Sequence, residues 1–380
     1  MKRVLSAFAV ASTLVLAASN TALAAGPPAV RVSHGDPFAN CLVGGNGDAV
    51  NYRSAEVEPW IAANPANGAN LVGTWQQDRW SDGGAKGQTA GWSFDGGRTW
   101  GQTPQPFTEC AQPFYRTRVL QYERTSDPWV SVGPDGTVYA LSLPFDGDFI
   151  RSGVGAAVSH DGGRTWVNQQ DIDPLVARPN TFLPTTDKES VMADPQRAGW
   201  AYAVWDDLQD IFPPCPTAQA RAAVNRGSEG NRSARPAPGS SATPCPGLFT
   251  GPAFFSRTRN GGKTWEKPRI IVPTGPNEQT IGNLILVNHQ TGVVYDFFDF
   301  IDPSGANNIE MIFSTDHGST WSGRQYVQRL FTTAEKRTAP PDDCFCGVIY
   351  PGDPTKPLRT GDIIPAVAID PNAGQLYVTW

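Results

Sequence analysis

The sequence predicts an all-β chain built from repeated four-stranded units. An eight-residue segment recurs four times, a second apolar repeat runs in phase with it, and no long stretch has helical periodicity. The first repeat reads SFDGGRTW ending at Trp100, SHDGGRTW at Trp166, TRNGGKTW at Trp265 and STDHGSTW at Trp321. Ser93, Ser159, Thr258 or Ser314 opens each copy, and Asp95, Asp161, Asn260 or Asp316 follows two residues on. Side chains of these types accept backbone N–H bonds within their own turn. Gly97, Gly163, Gly262 and Gly318 can take φ > 0, and the closing Trp fills the space beneath a hairpin. The segments therefore read as hairpin staples, not as catalytic groups.

The second repeat supplies paired strands. Residues 58–65 lead to 71–75, 127–136 to 138–142, 188–195 to 202–205, 284–289 to 293–297, and 365–371 to 376–380. Each is a near-continuous apolar strand, a Pro, Asn or Gly turn and a second strand, as strands buried on both faces should read. Adding the stapled hairpin gives a four-stranded meander, and a meander repeated radially is a β-propeller. The expected organisation is a strap over 25–51, blade 1 over 52–119, blade 2 over 120–179, blade 3 over 180–279, blade 4 over 280–338 and a partial blade 5 over 339–380. Residues 208–250, rich in Ala, Ser, Arg and Pro, are expected to be a disordered insertion in blade 3. Val30-Arg31-Val32 reads as a strand able to complete the last blade.

The recurring octapeptides resemble the Asp boxes (BNR repeats) of the sialidase superfamily, and the resemblance spans about residues 52–380. It implies a sialidase-like six-bladed β-propeller, of which about four and a half blades are present, since the sequence stops at Trp380 in the fifth. On that reading the chain is expected to be a fragment of a longer product. The family implies a glycoside hydrolase of exo-α-sialidase type that removes terminal acidic sugars from glycans. It binds the sugar carboxylate with arginines, uses an Asp as acid/base in blade 1, and replaces the two-carboxylate scheme with a Tyr nucleophile assisted by Glu. Tyr52-Arg53 matches the first half of the family's Phe-Arg-Ile-Pro motif, with Ser54 and Ala55 in place of Ile-Pro. Asp82, thirteen residues before Asp95 and close to Arg79, matches the acid/base position. The resemblance thus implies Arg53 and Arg79 as carboxylate ligands, Asp82 as acid/base, and Asp78 or Glu58 as orienting groups. Asp boxes also occur in propellers that only bind, so a non-catalytic propeller for glycan or protein is the alternative.

Meander topology sorts acids independently of the resemblance. First-strand starts and second-to-third loops share one face, opposite the stapled hairpins. That face receives Glu56, Glu58, Asp127, Asp187, Glu189 and Asp362, with Asp78, Asp82, Asp146, Asp148, Asp206, Asp207, Asp299 and Asp302 from loops. Candidate substrate-binding residues are Asp127, Asp187, Glu189, Asp206, Asp207 and Trp80, with Trp60 and Trp129 as further sugar-stacking platforms. Turn satisfaction or core packing is the competing role for each. Asp146 with Asp148, or Asp206 with Asp207, offers Ca²⁺ oxygen ligands but lacks calcium-loop spacing. Otherwise no cofactor is expected, because no glycine-rich phosphate loop opens a helix, and four scattered His argue against zinc.

Lys2 and Arg3 precede the apolar run Val4–Ala18, and Ala22-Leu23-Ala24 offers a cleavage site, so residues 1–24 read as a secretory signal peptide. A secreted monomer, extracellular or periplasmic and without a membrane span, is expected. A net charge of −6 argues against nucleic acid as partner and leaves glycans open. Six Cys suit an oxidising compartment. Cys215 with Cys245, bracketing the insertion, is the preferred pair, and Cys41 with Cys110 would tie the strap to blade 1.

Overall fold

A computed structural model describes residues 29–45, 47–176, 185–211, 248–331, 348–349, 358–359 and 364–380. The signal peptide, most of the insertion, Asp362, Cys215 and Cys245 lie outside the described residues. From Arg31 onward the architecture is the expected all-β propeller of antiparallel meanders.

Blade 1 pairs Asn51–Asn64, Asn67–Trp80, Ala85–Ser93 and Gly101–Pro104 in sequence order. Blade 2 pairs Arg124–Val132, Val138–Phe145, Gly155–Ser159 and Val167–Asp171 in the same way. Blade 3 uses Thr185–Ala193, Ala201–Ile211, Ala253–Thr258 and Arg269–Val272. Blade 4 uses Glu278–Val287, Val294–Ile301, Asn307–Ser314 and Gln325–Leu330. Ala366–Ile369 then pairs with Leu376–Thr379, the two strands expected of a fifth blade.

Successive blades bury their faces against each other. Val72 and Ala90 of blade 1 meet Val130, Val138, Ala140 and Trp166 of blade 2. Leu141, Ala156 and Val158 meet Val191, Ala203 and Trp205 of blade 3, and Val204 and Phe255 meet Ile285, Val294 and Phe298 of blade 4. In blades 2 to 4 the second strands are buried on both faces, which explains their unbroken apolar runs, whereas Trp60 and Ile61 on the inner strand of blade 1 are exposed.

The staples form as their chemistry requires. Asp95 accepts the backbone N–H groups of Arg98 and Thr99, each at 2.9 Å, and the Thr99 hydroxyl at 2.6 Å. Those bonds, led by Thr99, hold its carboxyl down at about 2. Asp161 and Asp316 repeat the bonds to Thr165 and Thr320. Asn260 keeps the bond from Thr264 N–H at 3.0 Å and donates its own amide to the Thr264 hydroxyl at 2.8 Å, so the missing charge costs no contact. Each later staple also docks on the preceding blade. A Cβ on Gly163 would lie 3.1 Å from Val72, and one on Gly318 would collide with the Phe255 ring. Trp100 donates to Gly97 O at 2.9 Å within its own turn.

Three features differ from the sequence reading. The chain at 31–33 is not a strand, and Val32 packs over Gly91 of blade 1, so this segment completes no last blade. The second strand of blade 3 runs on to Ile211, and Leu248–Gly251 returns beside it, so the described ends of the 208–250 segment are paired strand. The inner strands begin at Asn51, Arg124 and Thr185, which moves Glu58, Asp127 and Glu189 from strand starts to strand interiors. The strap is tied down by the Cys41–Cys110 disulfide, which closes a separation of 69 residues.

Candidate functional site

Inner strands of all four blades break register at the same place. The breaks fall between Val57 and Trp60, Ser126 and Trp129, Asp187 and Ser190, and Ile281 and Leu284. Each break carries one left-handed residue: Glu58 at φ 53°, Asp127 at φ 49°, Lys188 at φ 47° and Gly282 at φ 69°. Only Gly282 adopts that conformation freely. For Glu58 and Asp127 a following proline further disfavours α-type backbone. Strain of about 1–3 kcal/mol at each non-glycine site persists only where the surroundings impose it, and such outliers point to function.

The four bulges converge on one cavity of about 180 Å³, lined by Glu58, Asp127, Lys188 and Glu189 with Trp60 and Trp129 beside them. The two indoles stack with centroids 3.7 Å apart and planes 22° apart, and Trp60 remains 42% exposed. Lys188 Nζ lies 2.7 Å from Asp127 Oδ2, and Ser126 Oγ donates to Asp127 Oδ1. Gln76 donates its amide to Glu58 and, at 3.0 Å, to Ser126 Oγ. Arg79 completes the chain by donating to Gln76 Oε1 at 2.7 Å.

The two carboxyls that end this chain titrate in opposite directions. Enclosure by neighbours, then the charge of Asp127 and hydrogen bonding with it, raise Glu58 to about 7, although the outer edge of the residue faces solvent. Burial also works against Asp127, but Lys188 and the Ser126 hydroxyl outweigh it and hold that carboxyl below its ordinary range. Burial disfavours the charge on Lys188, yet Asp127, Asp187 and Glu58 together keep it protonated above the usual lysine range. Glu189 is 2% exposed with neither oxygen hydrogen-bonded, and burial pushes it well up.

The other sequence candidates are distributed elsewhere. Asp82 accepts Arg124 Nη1 at 2.7 Å. It lies in the turn that follows the end of the second strand at Trp80, and it is not among the residues that line the cavity. Trp80 is buried beneath that same arginine, whose guanidinium lies 4.9 Å from its ring. Asp78 is fully buried, accepts Ser54 N–H at 2.7 Å and faces Lys86 at 3.5 Å. Arg53 reaches Asp36 at 3.8 Å. Because Tyr52 pairs with Arg79 across the strands, alternation directs Arg53 to the opposite face, so these two arginines form no common fork.

Asp206 joins blades 3 and 4, accepting Thr280 Oγ1 at 2.7 Å and Gly282 N–H at 3.0 Å. Asp207 is held by Gln209 at 2.7 Å, and Asp187 accepts the Lys188 N–H at 3.0 Å. Asp146 pairs with Arg151 at 2.6 Å and Asp148 accepts the Ile150 N–H at 2.9 Å. Among the described residues no group of three or more His, Cys, Asp or Glu is placed to hold a metal.

Lys188, Gln76 and Ser126 were not singled out by sequence. A signal for Lys188 was available: aligning the inner-strand repeats on 58–65, 127–134 and 188–195 puts it in register with Glu58 and Asp127.

Comparison with protein-family models gives no match, and comparison with curated proteins gives none either. Solved structures give several. An α-L-arabinanase from Penicillium chrysogenum is 15% identical with a TM-score of 0.46, over 74% of this chain and 68% of that one. An α-L-arabinofuranosidase from Fusarium graminearum is 12% identical with a TM-score of 0.47, over 85% and 74%. A Hadza microbial sialidase is 13% identical with a TM-score of 0.40, over 69% and 46%. Likeness at this level concerns chain path and says nothing of activity. Among the described residues no helix is long and apolar enough to cross a membrane, which says nothing of membrane-spanning strands.

Proposed function

We propose that the cavity between the blades is a glycoside-processing site in an exported protein, with Glu58 as proton donor and Asp127 as its ionised partner. The observation that carries this is the pair itself: two neighbouring carboxyls, on strained bulges in an aromatic-walled cavity, with protonation pushed apart. Environments that separate two carboxyls in this way assign acid and base roles. Glu58 holds a proton near neutral pH and can deliver it to a glycosidic oxygen as the bond breaks. Asp127, kept charged by Lys188, can stabilise the positive charge that develops on the sugar. Glu58 and Asp127 act on each other's charge and are linked through Gln76 and Ser126. The pair is therefore assigned one proton-transfer role, and Asp127 is not assigned as nucleophile.

Export is supported by the N-terminal leader sequence and by the Cys41–Cys110 disulfide. The finer expectation of a terminal acidic sugar rests on an arginine fork, for which Arg53 and Arg79 are poorly placed. A binding-only role is the second reading, and the exposed edge of the Trp60–Trp129 stack favours it. The two are separated by incubating the protein with a panel of 4-nitrophenyl glycosides and measuring nitrophenol release beside Asp127→Asn. Release by the parent and at least a hundredfold loss in the variant support hydrolysis. Sugar binding with no release from any member would leave binding alone.

A further inference from the structure

The cavity holds more information about its ligand than the proton donor does. Its volume of about 180 Å³ is well above the about 10–15 Å³ that one water needs, so a sugar ring can enter. Its apolar lining is Trp60 stacked on Trp129, with Leu284 and Ile364. Its polar lining is carboxyl-rich, with Glu58, Asp127 and the fully enclosed Glu189, whose oxygens have no hydrogen-bond partner. Lys188 is the single cation among the described lining residues, and Asp127 already occupies it at 2.7 Å. Arg79, the next nearest basic group in the chain of contacts, is turned into Gln76.

We infer that this site takes an uncharged sugar unit, its C–H face on the Trp60–Trp129 stack and its hydroxyls at Glu58, and that it discriminates against carboxylated sugars. An acidic sugar would have to desolvate its carboxylate where no unengaged cation waits among the described lining residues, beside a carboxylate that is already ionised. A neutral ring meets the opposite situation, because each hydroxyl both donates and accepts, which matches carboxyls in either protonation state. The inference rests on the reading of this cavity as a glycan site but not on turnover.

The test uses isosteric pairs on the full chain: methyl β-D-glucopyranoside against methyl β-D-glucuronide, and the galactose pair likewise, by saturation-transfer NMR and tryptophan fluorescence at pH 7 and low salt. At least one neutral member should bind at least about tenfold more tightly than its uronide. In Asp127→Asn, which unmasks Lys188, the uronide should gain at least about tenfold relative to its neutral partner. A uronide that binds the parent as tightly as its neutral partner overturns the inference, and so does failure of every sugar to bind at about 50 mM. Neutral binding without cleavage of any aryl glycoside would leave this inference standing and remove hydrolysis. Preferential cleavage of an aryl uronide would do the reverse.

Discussion

Replacing Lys188 by Met removes the one cation that the described residues set against Asp127 in the cavity, and the consequence can be sized. Asp127 retains 10% of its side-chain exposure and Lys188 28%, so the pair is largely but not wholly withdrawn from water. Breaking a fully buried pair from one side costs about 3–5 kcal/mol, because the remaining charge is left uncompensated. Partial exposure puts Lys188→Met near the lower end, about 3 kcal/mol. With a urea m-value of roughly 3 kcal/mol/M, the midpoint should fall by about 1 M. The double variant Lys188→Met/Asp127→Asn removes both charges and should recover at least about half of the loss. Urea titration followed by tryptophan fluorescence measures both in one cycle. A single variant within about 0.2 M of the parent, or a double variant no more stable than the single, would refute the view that this ion pair organises the site.

Gly318→Ala should cost about 2 kcal/mol or more, since its Cβ would meet the Phe255 ring at a backbone φ of 80°, and calorimetry would read the drop. Trp60→Ala should weaken sugar binding about tenfold with little loss of stability, because Trp60 is 42% exposed; titration calorimetry and thermal melts together check this. Stability should decline with rising pH on the side set by Glu58. Its folded value of about 7 lies above the ordinary 4.5, so the contribution is complete below 4.5 and disappears as pH rises through 7. Solvent at the cavity mouth moderates the shift, so Glu58→Gln should flatten this slope by a modest amount in denaturation curves recorded from pH 4 to 8.

The architecture was legible because its determinants are local. Each staple draws its hydrogen bonds from within its own turn, and each apolar run fixes a doubly buried strand whatever its neighbours are. Legibility ended where chemistry crossed between blades. Asp82 sits at a hairpin tip in a loop crowded with polar residues, and nothing near it in sequence announces Arg124, 42 residues away, as its partner. Glu58 and Asp127 were recognised as acids of interest but placed at strand starts, since a bulge inside a strand leaves no apolar–polar signature of its own. A lone lysine such as Lys188 ordinarily signals a solvated surface. Its place in the repeat, not its type, marks it. Gln76 lies in a polar run with Gln77, Asp78 and Arg79 that reads as loop and is instead the interior of a second strand.

The most direct test of the Glu58–Asp127 assignment is the pH dependence of kcat/KM on a cleaved neutral aryl glycoside, measured for the parent and for Glu58→Gln. The account predicts a parent profile that falls as pH rises through about 7, and a variant at least a hundredfold slower that has lost this limb. A variant that keeps both the rate and the limb, or a parent that cleaves no member of the neutral panel, would contradict it.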